Sequence, residues 1–322
     1  MEHFTAHRLR FECEVVEIIQ LNPHQGSAIR GAFYHALLNA FCMNHQASSC
    51  TACPLVATCP VAFLVATLDP QSDRGATVPR PYTIEPPLDG KTRYEPGEKL
   101  EFGLTMFARA LNLFPYVVLG MQRLEQGGLG KRVPENGYRR GRFRVRAVWA
   151  ENPLTGEHQP VLRQGETMVQ VPDVPVTQEH VVRCASQEVC TEITLEFLTP
   201  TRLTDQKRLV KQPAFRVLFQ RLMERLEALA KEFSDTPLDR RLKYDLVGQA
   251  AAVELVNDQT HWVELESYST RLRRTTPISG FVGRATYRAV DWRPFLPWLV
   301  WGQFTHVGKD AVKGNGWLVF GP

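Results

Sequence analysis

Residues 8–41, RLRFECEVVEIIQLNPHQGSAIRGAFYHALLNAF, decide how the chain is read. Leu9, Phe11, Cys13 and Val15 alternate with charged neighbours, the period-two pattern of a strand with one buried face. Asn22-Pro-His-Gln-Gly is turn chemistry, and Ser27 is placed to cap a helix. Ile29, Phe33, Leu37, Ala40 and Phe41 then recur at helical spacing, so one stripe of that helix faces a core. Downstream come a cysteine- and proline-rich insertion over about 42–69 and a proline-dense stretch to 97. A strand (Leu100, Phe102, Leu104, Met106), an apolar helix to about 126 and a basic strand over 142–149 complete the half. The order β-α-insert-β-α-β predicts a ferredoxin-like unit with one strand hidden in the proline-rich stretch.

The second half reads as a stretched copy of the same plan. It has a strand over 192–197, then a long helix over 215–233 with Leu218, Leu222, Leu226, Leu229 and Phe233 on one side. A second helix is expected over 241–256, strands over 261–268 and 280–289, an apolar helix over 293–303 and a last strand over 317–320. The predicted fold class is therefore α+β, two ferredoxin-like (RRM-like) domains in tandem with a Cys-rich insertion in the first. Domain 1 spans 1–150, a polar, proline-rich linker covers about 151–180, and domain 2 spans 181–322. The 322 residues suffice for two cores.

The formal net charge is only +4, too weak for a histone-like tail and too even for a disordered acidic protein. It hides two basic segments. Residues 131–146 hold seven bases against Glu135, and residues 267–322 hold eight against Asp291 and Asp310, so each carries 7 − 1 or 8 − 2, about +6. In the second segment Tyr268, Phe281, Tyr287, Trp292, Trp298, Trp301, Phe304 and Trp317 interleave with the bases. Bases for phosphates and flat rings for unpaired nucleobases are what RNA binding requires, while solvated strand faces over an aromatic core give the same pattern. No apolar run approaches the roughly 20 residues of a membrane span, and the N-terminus shows no signal peptide, so a soluble cytoplasmic protein is expected.

Four cysteines cluster as Cys42-x7-Cys50-x2-Cys53-x5-Cys59. Structural zinc accounts for four thiols on one loop, an iron–sulfur cluster also fits, and unliganded thiols remain open. Four thiolates leave no open position, so a metal here would be structural. His35 lies off the apolar stripe of the first helix, beside Tyr34. His306 opens a loop over about 305–316 whose Gly308, Gly314 and Gly316 permit close approach to a ligand and whose Lys309 and Lys313 can neutralise phosphates. Gly127-Gly-Leu-Gly-Lys occupies the equivalent place in the first half.

The run Gly26-Ser-Ala-Ile-Arg-Gly-Ala-Phe-Tyr-His-Ala-Leu, the knuckle ending Cys59-Pro, Pro79-Arg-Pro-Tyr and Glu85-Pro-Pro-Leu continue the pattern. So do Leu198-Thr-Pro-Thr-Arg-Leu, Ser279-Gly-Phe-Val-Gly-Arg-Ala-Thr-Tyr and His306-Val-Gly-Lys with Gly314-x-Gly316. Together, in order, they resemble the CRISPR-associated repeat-processing endoribonucleases of the RAMP superfamily, the Cas-six type. The resemblance implies binding of precursor CRISPR RNA and cutting within its repeats without a metal. In that chemistry a 2′-hydroxyl attacks the adjacent phosphate, leaving a 2′,3′-cyclic phosphate and a 5′-hydroxyl. It points to His35 as the catalytic group, with Tyr34, His306 and Lys309 as further candidates. RNA contacts are expected at Arg30, Lys131, Arg132, Arg139, Arg140 and Arg142. In the second half they are expected at Arg271, Arg273, Arg274, Gly308, Lys313, Gly314 and Gly316. The late loop departs from the family pattern, with Asp310 and Lys313 where a glycine and a phenylalanine are usual. Partners are CRISPR repeat RNA and other CRISPR effector subunits, with no membrane and no small-molecule substrate. A non-catalytic RAMP subunit holding guide RNA, and a zinc-stabilised module facing an acidic protein, are the competing readings.

Overall fold

The computed structural model describes residues 1, 3–66, 78–166, 168–186, 191–269 and 274–321. The chain divides into two compact units, Ala6–Pro175 and Val176–Pro322 joined by Met1–Thr5. Among the described residues no helix is long and apolar enough to cross a membrane.

In the first unit the opening strand, Ala6–Val15, lies at the centre of a five-stranded antiparallel sheet. Across the sheet the order is Tyr82–Glu85, Lys99–Phe107, Ala6–Val15, Phe143–Asn152, Glu157–Arg163. The first four follow the ferredoxin-like order 2-3-1-4, and the strand inferred within the proline-rich stretch is Tyr82–Glu85, wholly buried. Two helices, α1 (Gly26–Phe41) and α2 (Phe114–Gly127), bury their apolar stripes against each other and the sheet. Ile29, Phe33 and Leu37 are buried, each contributing about 1.5–3 kcal/mol by leaving water. Gly120 lets α2 approach closely, since a Cβ there would stand 2.8 Å from Leu37 Cδ2. Outward-pointing side chains of the central strand are tied into ion pairs: Arg8 with Glu85 and Glu151, Arg10 with Glu151, and Arg146 of the neighbouring strand with Glu14.

One expectation is corrected in this unit. Within residues 151–180, read as a linker, Glu157–Arg163 is an edge strand paired with Phe143–Asn152. An exposed edge strand needs no apolar alternation, and Pro160 is tolerated there because one side of an edge strand donates no ladder hydrogen bond.

The second unit repeats the order: Glu254–Val263, Gly280–Arg288, Glu192–Thr201, Leu318–Gly321. Its helices are α3 (Gln178–Ser186), α4 (Phe215–Phe233), α5 (Arg240–Gln249) and α6 (Leu296–Thr305). The helix expected over 241–256 stops at Gln249, and the strand expected from 261 begins at Glu254. Phe215 packs edge-on against Tyr287, Trp292 and Phe295, with ring centres 5.3 to 5.5 Å apart. Phe281, Tyr287, Trp292, Trp298, Trp301 and Phe304 are all buried, so these six of the aromatics that alternate with the bases are core and not a stacking surface. Tyr268 lies on the strand Glu266–Ser269.

Candidate nucleic-acid interface and active site

The C-terminus of α1, the C-terminus of α2 and the basic hairpin Leu129–Val133/Arg139–Gly141 enclose a cleft of about 520 Å³ within the first unit. His35 lines it, with Arg132, Arg139, Arg140 and Arg142 on the same walls. The glycines after α2 explain why the hairpin sits so close. Gly130 has φ +85° and a Cβ there would meet the Gln20 carbonyl at 2.3 Å; at Gly141 a Cβ would meet the Ile18 carbonyl at 2.1 Å. Glycine is required because the hairpin backbone lies directly on the Ile18–Leu21 segment.

His35 is half-buried, and its imidazole pKa falls below the usual 6.5 because burial disfavours the cation and Arg140 and Arg30 repel it. The ring is therefore neutral at pH 7, with a lone pair available as a proton acceptor. Arg142 donates from Nη2 to Glu17 Oε1 at 2.8 Å, and Arg139 Nη2 lies 3.7 Å from the same oxygen. The Arg142 hydrogen bond, with both guanidinium charges, holds the Glu17 carboxyl below the usual carboxylate range. Arg132 and Arg140 form no ion pair among the described residues and face the cleft. Lys131 is exposed on the same strand. A neutral imidazole among four guanidinium groups can move a proton and hold a phosphate's charge in one place.

Other predicted residues fall elsewhere. Tyr34 sets its ring edge-on to His35, centres 5.3 Å apart, and carries the Arg30 guanidinium over its face, but it does not line the cleft. Arg30 turns to the insertion, where Nη2 donates to the Val65 carbonyl at 3.2 Å. Arg271 and Arg273 lie outside the described residues, and Arg274 begins the strand Arg274–Pro277. Arg284, Arg288, Arg293 and Lys313 are paired with Glu196, Glu192, Asp291 and Asp310.

The late loop reverses the expected logic. His306 is wholly buried, stacked on Trp317 at 5.9 Å, with its pKa pushed down to about 3 by burial and by Arg225. A side chain without accessible surface has no face to offer an RNA, so its catalytic candidacy is corrected. Gly308 and Gly316 make their close approaches to the chain itself. A Cβ would meet the Arg202 carbonyl at 2.5 Å in one case and the Val307 carbonyl at 1.8 Å in the other. Gly314 is buried, and only Lys309 is exposed.

The four clustered cysteines lie on the insertion that follows α1. Cys42, Cys50, Cys53 and Cys59 are all half-buried. Among the described residues no three His, Cys, Asp or Glu side chains gather as a metal ion requires. Local bonds organise the loop instead: Ser49 Oγ accepts from the Ala52 N–H, and Asn44 donates to the Cys53 sulfur at 3.3 Å.

Sequence reasoning missed four cleft residues: Glu17, Asn39, Gln126 and Tyr138. Asn39 was findable, since it lies one helical turn beyond His35 and shares its face. Tyr138, after the turn pair Asn136-Gly137 and before three arginines, carried a weaker signal.

Two family models match the chain. One, the AF_1859_N model, describes an N-terminal domain and covers residues 4–174. The other, CRISPR-associated endoribonuclease Cas6, covers residues 195–318. No curated protein sequence matches. Among solved structures, Thermus thermophilus Cas6 is similar at 17% identity, with 98% of each chain covered and a TM-score of 0.56; a Cas6 product complex gives 0.57 at the same identity and coverage. A partial Cas6-RT-Cas1–Cas2 complex is similar at 13% identity, over 99% of this chain and 46% of the other, with a TM-score of 0.59. At these identities the likeness shows the fold.

Proposed function

Residues 195–318 match the CRISPR-associated endoribonuclease Cas6 family, and from that premise we propose that this chain cuts precursor CRISPR RNA within its repeats, using the His35 cleft and no metal ion. The observation that carries the proposal is one neutral imidazole among Arg132, Arg139, Arg140 and Arg142. In the proposed step, His35 accepts the proton of a ribose 2′-hydroxyl as its oxygen bonds to the adjacent phosphorus. The bond from phosphorus to the 5′-oxygen breaks, and that oxygen takes up a proton, leaving a 2′,3′-cyclic phosphate and a 5′-hydroxyl. The arginines offset the added negative charge of the phosphorane. Other CRISPR effector subunits and a cytoplasmic site of action belong to the same proposal.

The test is incubation of purified protein with a repeat RNA from its own CRISPR array in EDTA, followed by end-group analysis. One cut with a cyclic-phosphate end is expected. Salt-sensitive binding with no product at enzyme excess would replace the proposal by a non-catalytic RNA-holding role. No binding at low salt would leave neither.

A further inference from the structure

We infer that Tyr138 is a stacking platform for one unpaired RNA base beside the cut, and so a positioning residue for the reaction; this rests on the reading of the cleft as the cutting site. Three observations carry it. The ring is 70% exposed and lines the cleft with His35 and Arg140. It makes no ring or cation contact with another described residue, although the core elsewhere pairs its aromatics edge to face.

The second observation is rigidity. Tyr138 adopts φ +58°, directly after Gly137 at φ +63°, a left-handed pair that a bulky residue rarely joins. The turn is nevertheless pinned. Tyr138 N–H donates to the Val133 carbonyl at 3.0 Å, and buried Asn136 donates from Nδ2 to the Ile18 carbonyl at 2.8 Å. Arg139 Nε donates back to the Asn136 carbonyl at 3.1 Å. An unfavourable backbone held by several bonds, with a large ring turned out to water, is what a preorganised contact looks like.

Third is the chemistry around the ring. Arg139, Arg140 and Arg142 mark a track for phosphates, and along such a track the group that uses a flat, uncharged, exposed face is a nucleobase. Every base has such a face, so the platform fixes the position of a nucleotide and leaves its sequence unread.

The experiment compares wild type, Tyr138→Ala and Tyr138→Phe on a matching repeat RNA, and on copies made abasic at each unpaired nucleotide near the cut. Affinity is measured across a salt series. Loss of about 5- to 100-fold is expected for Tyr138→Ala, with Tyr138→Phe within about twofold. At one abasic position wild type should fall to the variant's affinity, and Tyr138→Ala should lose nothing more. The slope of affinity against salt should not change, because no phosphate contact is lost. Equal binding by wild type and Tyr138→Ala overturns the inference alone. So does a loss that is the same on every abasic RNA, or one that Tyr138→Phe shares. Wild-type protein that binds no RNA overturns the reading of the cleft together with it.

Discussion

The two units share one strand order and place a glycine-bearing loop after the helix that precedes their last core strand, yet the loops face opposite ways. In the first unit Gly130 and Gly141 seat a hairpin on neighbouring backbone, and its side chains Arg132, Tyr138, Arg139 and Arg140 project into an open cleft. In the second, Gly308 and Gly316 seat a loop in the same manner, but His306, Val307 and Asn315 turn inward and are wholly buried. Similar glycine chemistry thus builds a surface in one unit and a plug in the other. What differs is the side chains, arginines between turn residues against a histidine, a valine and an asparagine inside a core.

The largest effect that would break this comparison is expected at Gly316. A Cβ there stands 1.8 Å from the Val307 carbonyl at φ +70°, so Gly316→Ala should destabilise the second unit by about 3 kcal/mol or more. Gly137→Ala, at φ +63° with open space around it, should cost about 1 kcal/mol. Denaturant unfolding of both variants measures the contrast; equal losses would mean the late loop is not a packed plug.

Next is charge. Replacing Arg132 and Arg140, which line the cleft and form no ion pair among the described residues, together by Ala should weaken RNA binding about 10- to 100-fold at moderate salt and lower the salt slope by about two. Replacing Arg284 and Arg288, which are paired with Glu196 and Glu192, should change it by less than about threefold. Filter binding across a salt series decides between them.

Acid sensitivity sharpens the inward loop. Burial lowers His306 to about 3, while the unfolded chain titrates near 6.5. Between those values the unfolded state binds more protons, so stability is fully present above 6.5 and is lost as pH falls toward 3. His7 of the first unit, lowered to about 4 by burial, acts in the same direction. His306→Gln should therefore lose less Tm between pH 7.5 and pH 4.5 than wild type does; an identical loss would remove His306 from the account.

The smallest effect is at Glu17, whose carboxylate occupies Arg142 and approaches Arg139 before any RNA arrives. Glu17→Gln should raise affinity for unrelated RNA by about two- to fivefold, since a phosphate no longer competes with a carboxylate for these guanidinium groups. Weaker binding would show that Glu17 holds the arginines in place.

Much of this was legible because burial leaves a period. The stripe of Ile29, Phe33 and Leu37 and the alternation of Leu9, Phe11, Cys13 and Val15 mark a helix and a strand with one dry face each. Edge strands leave no such trace: Glu254–Val263 is largely exposed, so its polar residues read as a helix end, and Glu157–Arg163 read as a linker. The cleft was half legible. His35 and the basic run stood out, while Asn39, Gln126 and Glu17 are ordinary polar residues until the fold brings them together. The burial of His306 was not legible, because loop direction depends on left-handed backbone at His306, Asp310 and Gly314 and on the strand end Thr199–Arg202 it packs against. The aromatic alternation was misleading for the converse reason, since strands and helices that bury rings also expose bases.

The central claim is that proton transfer belongs to the first unit's cleft and not to the late loop. Its most direct test is single-turnover cleavage of a matching repeat RNA in EDTA by folded His35→Ala and His306→Gln, with RNA affinity measured alongside. The account predicts that His35→Ala slows cutting by about 10²- to 10⁴-fold with affinity within about threefold of wild type, while folded His306→Gln cuts within about threefold. Cutting at the wild-type rate by His35→Ala, with His306→Gln folded and inactive, would contradict it.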